Sequence, residues 1–215
     1  MTNPPTLDAS SKAMLDRAHG LASEKETKAL YSDWAESYDK TMVEGLGYLS
    51  PQKAAHLLGR SVTDRQARIL DVGTGTGLVG QELAALGFTE IDGIDYSAPM
   101  LAVAEKLGVY SALIEADLKQ PLAIDSNTYN AIICIGTFTH GHVGADCLDE
   151  LFRIMKPGGR FITAIRKTYW EPAGFKAKVD ELTKAGTITT VSSEEDSNYT
   201  DSAEAESWFL VWEKC

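Results

Sequence analysis

The residues with the clearest potential for chemistry form a glycine cluster. Residues 71–78 read DVGTGTGL and directly follow a short apolar run. Glycines at a turn between a strand and a helix let the backbone approach a ligand closely, and the start of the helix offers unpaired N–H groups. The spacing allows two interpretations. In the first, Gly75, Gly77 and Gly80 form the GxGxxG pattern of dinucleotide-binding sites, and an acidic residue, Asp95, follows about 20 residues later.

The second interpretation takes the three glycines of residues 73–77 as a GxGxG that Asp71 precedes. In the dinucleotide pattern the first glycine directly ends the strand, and here the apolar run ends just before Gly73. If Gly75 were the first glycine of the motif, Gly73 would lie inside the strand, where glycine is destabilising. The register therefore favours the second interpretation.

Apolar runs and helical spacings alternate along the chain and define the elements that must position this turn. Strands are predicted at residues 68–72, 91–95, 111–116, 129–135 and 160–165, and helices at residues 50–60, 79–86, 98–107, 147–155 and 173–185. Two last strands, at 187–192 and 208–212, have no helix between them, so we expect an antiparallel hairpin. Ser50 is predicted to cap the first helix. Residues 156–159 (KPGG) are predicted to end the fourth helix in a turn.

This alternation predicts an α/β fold. We expect a doubly wound, mostly parallel sheet of seven strands, similar to the Rossmann fold, with an antiparallel strand near the C-terminus. Residues 1–49 are predicted to form an N-terminal tail and a helical cap, and residues 50–215 a cofactor-binding domain, within one compact unit. The length of 215 residues, with 44% apolar and 24% charged residues, is typical of a single globular domain.

The charge balance and the cysteine content narrow the choice of partner and compartment. Because a nucleic-acid backbone needs a basic surface, the net charge of −11 argues against nucleic acid as a partner. No run of 18 apolar residues exists and the start of the chain does not resemble a secretory signal, so no membrane partner is expected. The acidic cluster within residues 194–206 is predicted to be a solvated loop. Three cysteines without CxxC spacing predict free thiols and a cytoplasmic location.

Four segments in a fixed order resemble the class I S-adenosylmethionine-dependent methyltransferases. Residues 69–77 (ILDVGTGTG) are similar to motif I of that class, and the later motifs are matched by residues 93–101 (GIDYSAPML), 116–118 (ADL) and 151–161 (LFRIMKPGGRF). Residues 31–40 (YSDWAESYDK) resemble the N-terminal cap motif of many members that act on small molecules. Within the class, the chain is most similar to the methyltransferase-like proteins related to the Williams–Beuren-region methyltransferase.

The resemblance implies S-adenosylmethionine as the cofactor, S-adenosylhomocysteine as the product and a small-molecule acceptor that receives the methyl group by in-line displacement. Asp95, at the end of the second strand, is predicted to accept hydrogen bonds from both ribose hydroxyls, a role that would serve NAD equally well. The predicted cofactor-binding residues are Tyr38, Asp71, Gly73, Thr74, Gly75, Gly77, Asp95, Tyr96, Met100, Asp117, Leu118 and Gly136.

The family pattern also implies individual roles. Asp71 and the carbonyl of Gly73 would hold the methionine ammonium, and Gly136 would border the methionine moiety. Asp117 would accept a hydrogen bond from the adenine amino group. Tyr38 is predicted to close over the cofactor from the cap.

Methyl transfer needs a nucleophile held in line with the methyl carbon, and a general base only where the nucleophile must lose a proton. Such a base is expected in the loop after the fourth strand, residues 137–142 (TFTHGH), where His140 is the first candidate and His142 the second. A His-x-His without a third ligand does not predict a metal site. Arg166, after the fifth strand, would suit an acceptor carboxylate. The aromatic residues that would instead surround an apolar or cationic acceptor are Trp34, Tyr169, Trp170 and Tyr199.

Two other functions stay open from the sequence. One is an NAD-dependent oxidoreductase or a non-methyl S-adenosylmethionine enzyme, although the register of Gly73 argues against the oxidoreductase. The other is a non-catalytic protein that binds S-adenosylmethionine. The loop after the fourth strand lacks the Asn/Asp-Pro-Pro-aromatic sequence of methyltransferases that act on adenine or glutamine amides, which argues against those substrates.

Overall fold

The computed structural model describes Leu30 and residues 37–138, 143–200 and 206–215. Seven strands lie in this part of the chain: β1 (Ile69–Val72), β2 (Ile91–Asp95), β3 (Ala112–Glu115), β4 (Tyr129–Cys134), β5 (Met155–Arg166), β6 (Ile188–Asp196) and β7 (Ser207–Lys214). The helices with described bounds are α1 (Ser50–Ser61), α2 (Leu78–Ala85), α3 (Ala98–Glu105), α4 (Cys147–Ile154), α5 (Lys167–Trp170) and α6 (Phe175–Lys184), and a π-helical segment, Lys40–Gly45, precedes α1. Within the described ranges, no helix is long and apolar enough to cross a bilayer.

The seven strands form one sheet with the order β3-β2-β1-β4-β5-β7-β6. Strands β1 to β5 are parallel, and β7 pairs antiparallel with both β5 and β6. The predicted α/β fold with a mostly parallel seven-stranded sheet is therefore confirmed, as is the antiparallel pairing of the last two strands. Because the strand order reverses between β1 and β4, a crevice opens at the carboxyl ends of these two strands.

The central strands β1, β2 and β4 are buried on both faces, to which successive residues of a strand point alternately. In the central strand β4, Ile132 and Cys134 pack in one apolar cluster with α4 and α6, whereas Ala131 and Ile133 pack in another with α1 and α2. All four side chains are fully buried. Burial of one isoleucine side chain is worth about 1.5–3 kcal/mol. This two-sided core fixes the strand ends that carry the site.

Residues 156–159 (KPGG) form a bulge inside β5, so the predicted turn at the end of the fourth helix is wrong. Helix α4 ends at Ile154 and β5 begins at the next residue. The pairing of β5 with β4 shifts at the bulge, because Tyr129 pairs with Met155 whereas Ala131 pairs with Arg160. Proline and two glycines allow the strand to bulge here and still resume its pairing with β4.

Two smaller predictions are also corrected. Residues 194–196 (EED) lie in the edge strand β6 rather than in a solvated loop, and Asp196 forms an ion pair with Lys53 at 2.7 Å. Residues 201–205 of the acidic cluster lie outside the described part of the chain. Ser50 is the first helical residue of α1 rather than its cap. Its hydroxyl donates to Asn198 Oδ1 at 2.9 Å instead of to the helix end. A tertiary contact with the segment after β6 replaces the expected local one.

Candidate active site

An open cleft lies at the carboxyl ends of β1, β2 and β4, where the strand order reverses. Its empty volume is about 860 Å³, including the space at its mouth. Nine of the predicted cofactor-binding residues line it: Tyr38, Gly73, Gly75, Asp95, Tyr96, Met100, Asp117, Leu118 and Gly136. Seven further residues line the cleft for which no role in cofactor binding is predicted: Ile94, Ser97, Ala116, Lys119, Ile135, Thr137 and Val143. Separate segments of the chain therefore meet at one cleft.

The glycine turn begins where the register predicts it. Strand β1 ends at Val72, and Gly73 follows with a φ of +71°, a left-handed conformation that favours glycine. A side chain at Gly73 would collide with the loop after β4, because its Cβ would lie 1.8 Å from Thr137 Oγ1. The backbone of Gly73 therefore packs directly against that loop and lines the cleft without a side chain.

Asp95 ties this turn to the end of β2. Its Oδ2 atom accepts a hydrogen bond from the Gly75 amide at 2.8 Å, and its Oδ1 atom accepts one from the Ser97 amide at 2.9 Å. Burial raises the pKa of Asp95, while these two backbone hydrogen bonds act to lower it. The carboxylate is thus held in one orientation at the cleft, with lone pairs left to accept hydrogen bonds from a ligand.

Three predicted cofactor residues, Asp71, Thr74 and Gly77, are not among the residues that line the cleft. Thr74 Oγ1 donates to the backbone oxygen of Asp71 at 3.0 Å, and Gly77 directly precedes α2, so both shape the turn. The Asp71 side chain is fully buried, and its Oδ2 atom accepts a hydrogen bond from Tyr110 Oη at 2.7 Å. Its Oδ1 atom has no hydrogen-bond partner among the described residues. Burial raises the pKa of Asp71 from its ordinary value of 3.8 to about 7.

The cap segment is fastened to the glycine turn. Thr76, which is almost fully buried, donates its hydroxyl proton to Asp39 Oδ1. The neighbouring residue, Tyr38, lines the cleft and packs against a small apolar cluster that contains Met42 and Leu46. The hydrogen bond and the apolar contacts together bring the predicted cap residue Tyr38 to the cleft.

None of the residues predicted to be catalytic is among the described residues that line the cleft. His140, His142 and Trp34 lie outside the described residues. Arg166 is the last residue of β5, half-buried, and does not line the cleft. Tyr169 packs against the buried ring of Phe175, with the ring centroids 5.9 Å apart, so it belongs to the wall of the core. Among the described residues, no group of histidine, cysteine and acidic side chains could hold a metal ion.

Several residues that shape the site were not predicted from the motifs. Ser97 and Thr137 lie within two or three residues of a strand end, so a search of all strand ends at the switch point would find them. Tyr110 carries no such signal. Tyr110 reaches Asp71 across 39 positions of sequence by packing over α2, where its hydroxyl occupies the space that a side chain at Gly80 would need.

Comparisons with known proteins agree with this geometry. A model of the methyltransferase domain family matches residues 70–163. Human methyltransferase-like protein 27 is 34% identical over 183 residues, which cover 81% of this chain and 73% of that protein. The ubiquinone biosynthesis O-methyltransferase of Xylella fastidiosa (strain 9a5c) is 32% identical over 132 residues, or 55% of this chain; the chain spans about half the length of that relative (53%).

The fold also matches a solved structure. A TehB-like S-adenosylmethionine-dependent methyltransferase from Corynebacterium glutamicum superposes with a TM-score of 0.66 at 18% identity, covering 87% of this chain and 99% of the other. Sheet order, glycine turn and cleft thus define an S-adenosylmethionine-dependent methyltransferase, whose cofactor is S-adenosylmethionine. Within this class, the chain belongs to the methyltransferase-like family, as its identity with the human relative shows.

The position of Asp95 leads to a prediction for cofactor binding. Asp95→Ala should weaken the binding of S-adenosylhomocysteine by about 2–3 kcal/mol, the scale of hydrogen bonds to a charged group. Calorimetric titration of the purified protein measures this change. Asp64→Ala is the matched control, because Asp64 is an exposed residue before β1, at the opposite edge of the sheet. An unchanged dissociation constant for Asp95→Ala would refute the assignment of this carboxylate.

The raised pKa of Asp71 makes stability depend on pH. Between about pH 4 and pH 7 the unfolded chain loses this proton while the folded protein retains it, so the contribution of Asp71 to stability falls as pH rises. Asp71→Asn cannot ionise and still accepts from Tyr110. Its free energy of unfolding relative to wild type should therefore rise by about 1–3 kcal/mol from about pH 5 to about pH 8.

Urea denaturation of both proteins at several pH values gives this difference. Asp64→Asn, the same substitution at an exposed position, serves as the control. A constant difference for Asp71→Asn would contradict the raised pKa.

Proposed function

We propose that the protein transfers the methyl group of S-adenosylmethionine to a small-molecule acceptor by in-line displacement. The observation that carries this proposal is the cap: Tyr38 lines the cleft, and the adjacent Asp39 is hydrogen-bonded to the glycine turn through Thr76. A segment before the domain that contributes Tyr38 to the wall of the cleft favours a small acceptor over a macromolecular one. The name of the Xylella relative, a ubiquinone biosynthesis O-methyltransferase, is further support.

The residues at the cleft fit the cofactor, and the free hydrogen-bonding capacity of Asp95 and Ser97 at the cleft, and of Asp71 two residues before Gly73, supports the fit. Asp95 has lone pairs for the ribose hydroxyls. Ser97 lines the cleft and is fully buried, and its Oγ atom has no hydrogen-bond partner among the described residues. Asp71 Oδ1 is likewise buried and unpaired there, as a partner of the methionine ammonium would be before binding. The contact of Asp71 with the ammonium requires this second oxygen, since the first is held by Tyr110.

The remaining residues follow the order of the strands along the cleft. Tyr96 and Met100, after β2, flank the ribose and the adenine, and Asp117 and Leu118, after β3, receive the adenine amino group and ring. Gly136, after β4, borders the methionine moiety together with Gly73, and Tyr38 closes over the cofactor. Thr74 and Gly77 act by shaping the turn. When bound, S-adenosylmethionine supplies a methyl group on a sulfonium, which is already activated for transfer.

The chain's contribution to catalysis is then orientation and the exclusion of water. A base is needed only for an acceptor that must lose a proton, and His140 and His142 are the proposed candidates. Their support is that Thr137 and Val143, on either side of them in the sequence, both line the cleft.

The proposal also includes the division of the chain into domains, the cellular compartment and a narrower placement within the family. Residues 1–49 form the tail and cap, and residues 50–215 the cofactor-binding domain. The compartment is a reducing one, the cytoplasm, because Cys134, Cys147 and Cys215 are all free thiols. Within the methyltransferase-like family, we place the chain near the proteins related to the Williams–Beuren-region methyltransferase, and the resemblance of the motifs supports this placement.

A two-step experiment tests the function. Calorimetric titration of the full chain should detect S-adenosylmethionine and S-adenosylhomocysteine, with dissociation constants on the order of micromolar, and no NAD. Radiolabelled methyl transfer is then measured with a cell extract separated into small molecules and macromolecules. We expect label in the small-molecule fraction, lost with Asp95→Ala and kept with Asp64→Ala. Label in macromolecules alone, or none in either fraction, would contradict the proposal.

A further inference from the structure

A hydrogen bond joins the described part of the cap, residues 37–49, to the centre of the glycine turn. Thr76 is 1% exposed, and its hydroxyl donates to Asp39 Oδ1 across 37 positions of the chain. Because the acceptor is a carboxylate, this hydrogen bond is stronger than one between two neutral groups. Asp39 is therefore held firmly against the turn.

The residues that directly precede these two both line the cleft. Tyr38 precedes Asp39, and Gly75 precedes Thr76. Gly75 is itself held by Asp95, whose Oδ2 atom accepts from the Gly75 amide at 2.8 Å. A continuous set of bonds and contacts thus leads from the Tyr38 side chain to the carboxylate that is proposed to bind the ribose.

The other end of the same cap segment is fixed separately. The Leu49 amide donates to the backbone oxygen of Asn198 at 2.8 Å. Two buried apolar side chains, Met42 and Leu46, pack together in the middle of the segment. Loss of the hydrogen bond to the glycine turn would therefore loosen the beginning of the segment, and its end would stay in place.

We propose that Asp39 and Thr76 are positioning residues, whose hydrogen bond holds Tyr38 against the cofactor in the cleft. This inference rests on the proposed function, in which Tyr38 closes over S-adenosylmethionine, and it adds the residues that fix the place of that side chain. Asp39 and Thr76 are described residues that do not line the cleft, so each acts through a neighbour that does. A side chain that is already in position costs the cofactor less binding energy than one that must be ordered.

Calorimetric titration of the full chain with S-adenosylhomocysteine tests the inference. Asp39→Ala removes the acceptor, and Thr76→Val removes the donor with little change of shape. Each should weaken binding about fivefold or more, because Tyr38 must then be ordered when the cofactor binds. Asp39→Asn should stay within about threefold of wild type, since its amide oxygen still accepts from the Thr76 hydroxyl without the charge.

The same substitutions in a Tyr38→Ala background separate positioning from a general structural role. Tyr38→Ala alone should weaken binding at least as much as Asp39→Ala does. Because the side chain that they position is then absent, Asp39→Ala and Thr76→Val should each change the affinity of this variant by less than about twofold. A loss of equal size in both backgrounds would overturn the inference, since the hydrogen bond would then support the turn and not Tyr38.

Thr41→Val is the matched control for Thr76→Val. The Thr41 hydroxyl donates to the backbone oxygen of Ser37 at 3.0 Å, within the cap segment itself, so this variant should bind as wild type does. If the wild-type chain does not bind S-adenosylhomocysteine, the proposed function fails and this inference fails with it. If it binds, and neither Asp39→Ala nor Thr76→Val weakens binding, the inference is wrong while the proposed function stands.

Discussion

The Gly75 amide donates to the Asp95 carboxylate, and the Gly73 and Thr74 amides donate to the Ile94 carbonyl, so that the turn after β1 is joined to the end of β2. The same carboxylate holds the Ser97 amide ahead of α3. This buried acid therefore holds the glycine turn and the start of α3 through one carboxylate and keeps a polar group at the cleft. Burial raises the pKa of Asp95 and so disfavours its ionised form, and hydrogen bonds from backbone amides, those of Gly75 and Ser97 among them, act against this rise.

The residues predicted to contact the acceptor are placed in a different way. They come from the cap, from the end of β5 and from the segment after β6, and long-range contacts around Asn198 hold the cap and that last segment together. The cofactor side depends on adjacent parallel strands and is common to the fold. The proposed acceptor side depends on contacts between distant positions of the chain, and specificity is expected to lie there.

Most of the residues predicted to bind the cofactor meet at one cleft, for a physical reason. Short apolar runs mark buried parallel strands, and the carboxyl ends of such strands meet at one edge, so the motif residues after β1, β2, β3 and β4 fall at one cleft. Contacts between distant positions escaped prediction. Ser50 binds Asn198 across 148 positions, and Tyr110 binds Asp71 across 39, and no local spacing indicates either contact. The bulge at residues 156–159 was missed because glycine and proline signal a turn whether or not the strand resumes.

A crystal structure of the protein with S-adenosylhomocysteine tests the central claim most directly. The account predicts both ribose hydroxyls within hydrogen-bond distance, about 2.5–3.0 Å, of the Asp95 carboxylate. It also predicts the adenine beside Asp117 and the sulfur beside Gly136. A nucleoside bound elsewhere, or bound in this cleft without contact to Asp95, would contradict it.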